Sequence, residues 1–136
     1  MVAFAHYNLV QSQQRWDAQI KRFGGPAYLR RPGAPDRWVT YMPAKFTALE
    51  RLGGLQNPAD RKAVISALDP STGAQIDPDP SEKETLISLK LDQKGVPQLD
   101  ANNAPIEDEV LKLVAPPTPV GPNRATPLYW VLIVRA

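Results

Sequence analysis

The run that ends the chain, Pro127-Leu128-Tyr129-Trp130-Val131-Leu132-Ile133-Val134-Arg135-Ala136, limits the possible folds most. β-Branched and aromatic residues dominate it, and its proline stands ahead of it, which predicts a strand. Leu128, Trp130, Leu132 and Val134 alternate with Tyr129, Val131 and Ile133, so both faces are apolar. A strand of this kind has to be covered twice. Its own core serves one face; a helix or a neighbouring subunit serves the other.

The predicted cover is a helix over residues 5–23. Leu9, Trp16, Ile20 and Phe23 share one face at helical spacing, leaving Gln11, Gln14, Arg15, Asp17, Lys21 and Arg22 for the outside. Gly24-Gly25-Pro26 then stops it, glycine supplying a left-handed cap and proline being unable to continue. The rest of the chain cannot be mainly helical, because 15 prolines among 136 residues are spread through it. Short strands are expected instead at 27–31, 37–42, 61–68, 84–91 and 109–115, with Ile87, Leu89 and Leu91 on one face of the fourth. Residues 47–52 read as a helical turn or an edge strand. Residues 69–81 and 92–107 are rich in turn residues without a period and read as long exposed loops, and 116–126 as a proline-rich connection. No internal repeat is found. One domain spanning 1–136 is expected: a mainly β fold, a small antiparallel β-barrel or sandwich over about 27–136, with one N-terminal α-helix and long loops.

Chemistry is sparse. There is no cysteine, which excludes thiolate chemistry and disulfides, and His6 is the single histidine, so His-based metal or Ser-His-Asp sites have little to build on. No phosphate loop or dinucleotide fingerprint occurs. The acidic residues Asp69, Asp77, Asp79 and Glu82 do not follow calcium-loop spacing and read as solvated charge. No catalytic, cofactor or metal residue is therefore expected. No apolar stretch is long enough for a membrane helix, and Met1-Val2-Ala3-Phe4-Ala5-His6 does not have the form of a signal peptide, so a soluble, unprocessed chain is expected.

The net charge of +2 hides an asymmetry: residues 1–62 hold ten Lys/Arg and four Asp/Glu (+6), residues 63–136 six and ten (−4). Opposite-sign halves suit head-to-tail packing of copies, or simply an uneven solvated surface. Lys21, Arg22, Arg30, Arg31 and Arg37, interleaved with Tyr28 and Trp38, form the basic group. It is a candidate contact with nucleic-acid phosphates or with an acidic neighbour. Trp16, Trp38 and Trp130 lie in apolar patterns and are candidate core or interface anchors rather than base-stacking platforms.

Several phrases occur in a suggestive order: a helix ending in Gly24-Gly25-Pro26-Ala27-Tyr28-Leu29-Arg30-Arg31, then Trp38-Val39-Thr40, then Ala63-Val64-Ile65-Ser66-Ala67-Leu68. Val110-Leu111-Lys112-Leu113-Val114-Ala115-Pro116-Pro117 and the Leu128–Arg135 run follow. This order resembles small neck proteins of tailed bacteriophages and phage-derived gene transfer particles, the head-closure (head–tail joining, stopper) group. The similarity runs from about residue 9 to the end, and the segments 69–81 and 92–107 depart from it. The resemblance implies a β-barrel without enzymatic activity that forms a ring of roughly six or twelve copies on the portal vertex. Implied partners are other copies of itself, a portal or adaptor protein, a tail-terminator or tail protein, and packaged DNA passing through the ring. The implied location is the virion neck, after synthesis in the host cytoplasm. The alternatives are a tail terminator or other neck component, a monomeric nucleic-acid-binding barrel and, third, an enzyme acting on a small ligand.

Overall fold

The computed structural model describes residues 2–45 and 60–136, with side chains from Leu9 onward. The turn or strand expected at 47–52, and the side chain of His6, lie outside the described residues. Elements follow in the order α1 (Val2–Phe23), β1 (Gly25–Arg30), β2 (Arg37–Ala44), β3 (Arg61–Ser66), β4 (Thr85–Leu89), β5 (Glu107–Leu113), β6 (Thr118–Val120) and β7 (Tyr129–Arg135). The fold is mainly β, as the proline distribution requires.

The strands pair antiparallel in the order β3-β2-β1-β4-β5-β7-β6, and β3 also pairs with β7, so the sheet closes on itself. The terminal strand is the closing stave. One edge pairs with β3 from Arg61↔Val134 to Ser66↔Tyr129; the other takes β5 at Leu113↔Val134 and β6 at Thr118↔Val131. β5 and β6 thus act as one stave, interrupted where Pro116 and Pro117 remove two backbone donors. Strand β6 lies inside the stretch expected to be a connection. Alternation hides it there, because three residues with a central proline carry no readable period.

Inside the barrel, Ala27, Leu29, Val39, Ala63, Ile65, Leu86, Leu111, Trp130, Leu132 and Val134 form one cluster, each at most 1% exposed. On the fourth strand Leu86 faces this cluster through its register with Leu29 and Leu111, whereas Ile87, on the opposite face, is also fully buried. Because both faces of β4 are covered, its apolar pattern does not reveal which one is inside.

α1 lies across the outer face of β1, β2, β3 and β7. Ile20, fully buried, meets a wall whose outward residues Thr40, Val64 and Ser66 are also buried. The expected apolar stripe is corrected at two of its four residues: Phe23 is 63% exposed and Trp16 39%. Their place is taken by polar anchors. The buried Gln13 amide donates to the Pro127 carbonyl at 2.8 Å and to Gln75 Oε1 at 3.1 Å, and Ser66 Oγ donates to Asp17 at 2.6 Å. Asp17, expected outside, therefore faces the wall. The Trp16 ring rests 4.6 Å from that of Tyr129, so the chain covers part of its own terminal strand, while Val131 and Ile133 stay half-buried. At the helix end Gly24 is needed for space, not for a left-handed cap. A Cβ there would stand 1.9 Å from the Tyr41 carbonyl oxygen.

The two long loops are tightly built. In 69–81, Asp69 N–H bonds Ala74 O, Ile76 N–H bonds Ala67 O, and Ile76 joins the core at 4% exposure, although its flanks are exposed. Residues 91–106 contain a repeat that sequence reading missed: Leu91-Asp92-Gln93-Lys94-Gly95-Val96-Pro97-Gln98 is followed by Leu99-Asp100-Ala101-Asn102-Asn103-Ala104-Pro105-Ile106. Each unit is a hairpin turn. Asp92 pairs with Val96 and Asp100 with Ala104; each Asp Oδ1 accepts two further backbone N–H groups, and Gly95 and Asn103 take the left-handed position at φ 80° and 60°. This is a type I turn followed by a left-handed residue, a standard three-residue hairpin. The ends of the units then close a ring of backbone bonds: Gln98 N–H to Lys90 O, Ile106 N–H to Gln98 O and Lys90 N–H to Ile106 O, all 2.8–2.9 Å.

Candidate interaction surfaces

The five basic residues singled out in the sequence do not form one patch. Arg30 grips Asp36 and also reaches Glu107, and these acceptors hold its guanidinium well above the usual arginine range. Arg37 is almost sealed, its Nη2 3.1 Å from Glu84 Oε1 and its Nη1 2.7 Å from the Pro78 carbonyl. Burial pushes the Glu84 carboxyl above its ordinary value, and Arg37 offsets part of that rise. Arg31 donates to Pro35 O. Lys21 and Arg22 stand apart from these, on the last turn of α1, where cations offset the helix dipole.

The opposite-sign halves are largely matched within the chain. Arg30, Arg37 and Arg61 of the first half meet Glu107, Glu84 and Glu109 of the second. The hydrogen bonds from Arg61 hold the Glu109 carboxyl below its ordinary value. Asymmetry along the sequence thus becomes pairing in space, since the sheet joins β1 to β4 and β3 to β7 and so sets the staves of the first half against those of the second.

The outward side of α1 carries Arg15, Gln19 and Arg22 with the exposed Ala18, and its Asp17 carboxylate is engaged by Ser66 and Lys21. Beside it runs a groove of about 360 Å³ lined by Arg15, Trp16, Gln19, Phe23 and Met42. No protein-family model, characterised protein or solved structure matches the chain. Its function has to be argued from surfaces alone.

A second concavity of about 480 Å³ lies around the helix end, floored by Gly24, Gly25 and Pro26, with Lys21, Arg22 and Lys94 at its margin. Lys94 joins it because the turn at 92–95 folds back toward α1. Sequence reading missed Lys94, whose only signal was its place at a turn tip. The tryptophans separate by role. Trp130 is core at 1% exposure; Trp38 lies outside β2 with its ring 4.2 Å from Tyr28; Trp16 borders the apolar groove. Among the described residues no group of three or more His, Cys, Asp or Glu side chains is placed to hold a metal, and no helix is long and apolar enough to cross a membrane.

Proposed function

We propose that this chain is a structural head–tail connector of the head-closure type in a phage-like particle, acting by ring formation and non-covalent docking. The observation that carries this reading is the outward face of α1: Arg15 and Arg22, which pair with no carboxylate of the described residues, beside exposed Trp16 and Phe23. Exposed aromatics next to arginine are the side chains most enriched at protein interfaces. The closed barrel with one external helix is also what the resemblance to neck proteins implies. On this reading the partners are further copies, the portal or adaptor, and a tail-terminator or tail protein. Lys21 and Lys94 give a sparse basic lining suited to DNA that must slide rather than be gripped.

A tail terminator is the alternative in the same class. The basic concavity favours a second class, a monomeric nucleic-acid-binding barrel. Co-expression with the portal and tail components of the same particle, followed by imaging of purified particles, tests the proposal. The expected result is density for this chain in the neck. A chain that stays monomeric, does not join the portal vertex and binds duplex DNA with a log K against log salt slope near −3 would instead support the barrel reader (about three phosphate contacts).

A further inference from the structure

We propose that the outward face of α1 is a subunit contact that receives the acidic segment 77–82 of a second copy of this chain; the inference rests on the assembly reading above. Arg15 and Arg22 make no ion pair with the described residues, Arg22 resting its guanidinium 5.5 Å over the Phe23 ring, and two helical turns set the two about 10 Å apart. The segment Asp77-Pro78-Asp79-Pro80-Ser81-Glu82 offers three exposed carboxylates that no cation of the described residues pairs with. It is also held in place. Arg37 fixes the Pro78 carbonyl, Pro80 is buried, and two prolines limit the freedom lost on docking. Exposed Pro78 suits a groove walled by Trp16, Phe23 and Met42, while its flanking carboxylates meet Arg15 in the groove wall and Arg22 beside Phe23.

The two surfaces belong to opposite ends of the β1–β2 hairpin. Phe23 leads into Gly25 at one end, and Arg37, which holds Pro78, pairs with Leu29 at the other, about 13 Å along the strand. The contact is therefore heterologous, joining unlike surfaces of successive copies. A contact of this kind closes into a ring when the rotation between copies divides a full turn.

A pair of charge-reversed variants tests the contact. The variant R15E/R22E keeps its acidic segment but repels it; D77K/D79K keeps its arginines but repels them. Each alone is expected to associate at least about tenfold more weakly than the natural chain, since like charges face each other at every contact. An equimolar mixture is expected to regain assembly, as alternating copies restore opposite charges at every contact, with mass photometry reading the masses and circular dichroism showing that both variants fold. Either variant assembling like the natural chain, or a mixture that stays as weak as its parts, overturns this contact and leaves the ring reading intact. A natural chain that is monomeric both alone and with its portal overturns both.

Discussion

In β7, Trp130, Leu132 and Val134 are sealed inside the barrel at no more than 1% exposure, whereas between Lys90 and Ile106 no side chain is fully buried. The first region is ordered by removal of apolar surface from water. The second is ordered by backbone hydrogen bonds, two aspartates that each collect backbone donors, and two residues able to sit at positive φ. A segment without a hydrophobic period is not thereby loose. Turn chemistry repeated at a fixed interval specifies a structure too, at far smaller energies per residue.

The contrast can be broken most forcefully from the core side. Trp130→Ala is expected to cost about 3–5 kcal/mol through lost transfer energy and the cavity left behind. Leu99→Ala, at a side chain 54% exposed in the repeat, should stay within about 0.5 kcal/mol. Chemical denaturation of both variants checks this, and similar values would erase the distinction. Next comes Glu84→Ala, which strands the nearly buried Arg37 guanidinium and should cost about 1.5–3 kcal/mol. Breaking the open Arg61–Glu109 pair, over 40% exposed on both sides, should cost at most about 1 kcal/mol.

Within the repeat, Asp92→Ala and Asp100→Ala should each lose about 1 kcal/mol, as when a helix cap is removed. If the ring of bonds through Lys90, Gln98 and Ile106 couples the two turns, the double variant will depart from additivity. The same ring predicts slow hydrogen exchange at those three amides beside fast exchange at the turn tips. Smaller again is Asn103→Gly, which should shift stability by less than about 1 kcal/mol because asparagine already tolerates the left-handed region.

The smallest effect expected is on pH dependence. Glu84 binds its proton more tightly folded than unfolded, so above the ordinary value of 4.5 the unfolded chain loses a proton that the folded chain keeps. Stability from this group therefore falls as pH rises from that value through the raised one. Glu109 acts oppositely: its contribution is present above 4.5 and is lost as pH falls through its lowered value, with solvent screening reducing its size. Denaturant midpoints measured against pH should show the first slope vanish in Glu84→Gln. An unchanged slope would remove Glu84 as its source.

Parts of the molecule were open to reading in advance. The terminal strand, the place where α1 stops and the mainly β class follow from residue type and spacing, although the demand for glycine at position 24 comes from the neighbouring Tyr41 carbonyl and not from a local cap. Which face of β4 points inward was not legible, because burial on both sides removes the alternation that marks a half-exposed strand. The repeat passed unnoticed because only Leu, Asp and Pro recur in it, and glycine is replaced by asparagine at the one position whose backbone demand they share. The basic group dissolved because Arg30, Arg31 and Arg37 lie near Lys21 and Arg22 in sequence but find their partners at the far end of the hairpin.

By itself the sequence determined the alphabet of elements: proline excluded long helices after the first, and apolar runs chose where strands form. Only the tertiary structure decided which charges were left over. Pairing Glu84, Glu107 and Glu109 with arginines from the other half of the chain requires staves distant in sequence to become neighbours in space. Charge acts through distance in space, and that distance is set only when β7 closes the barrel.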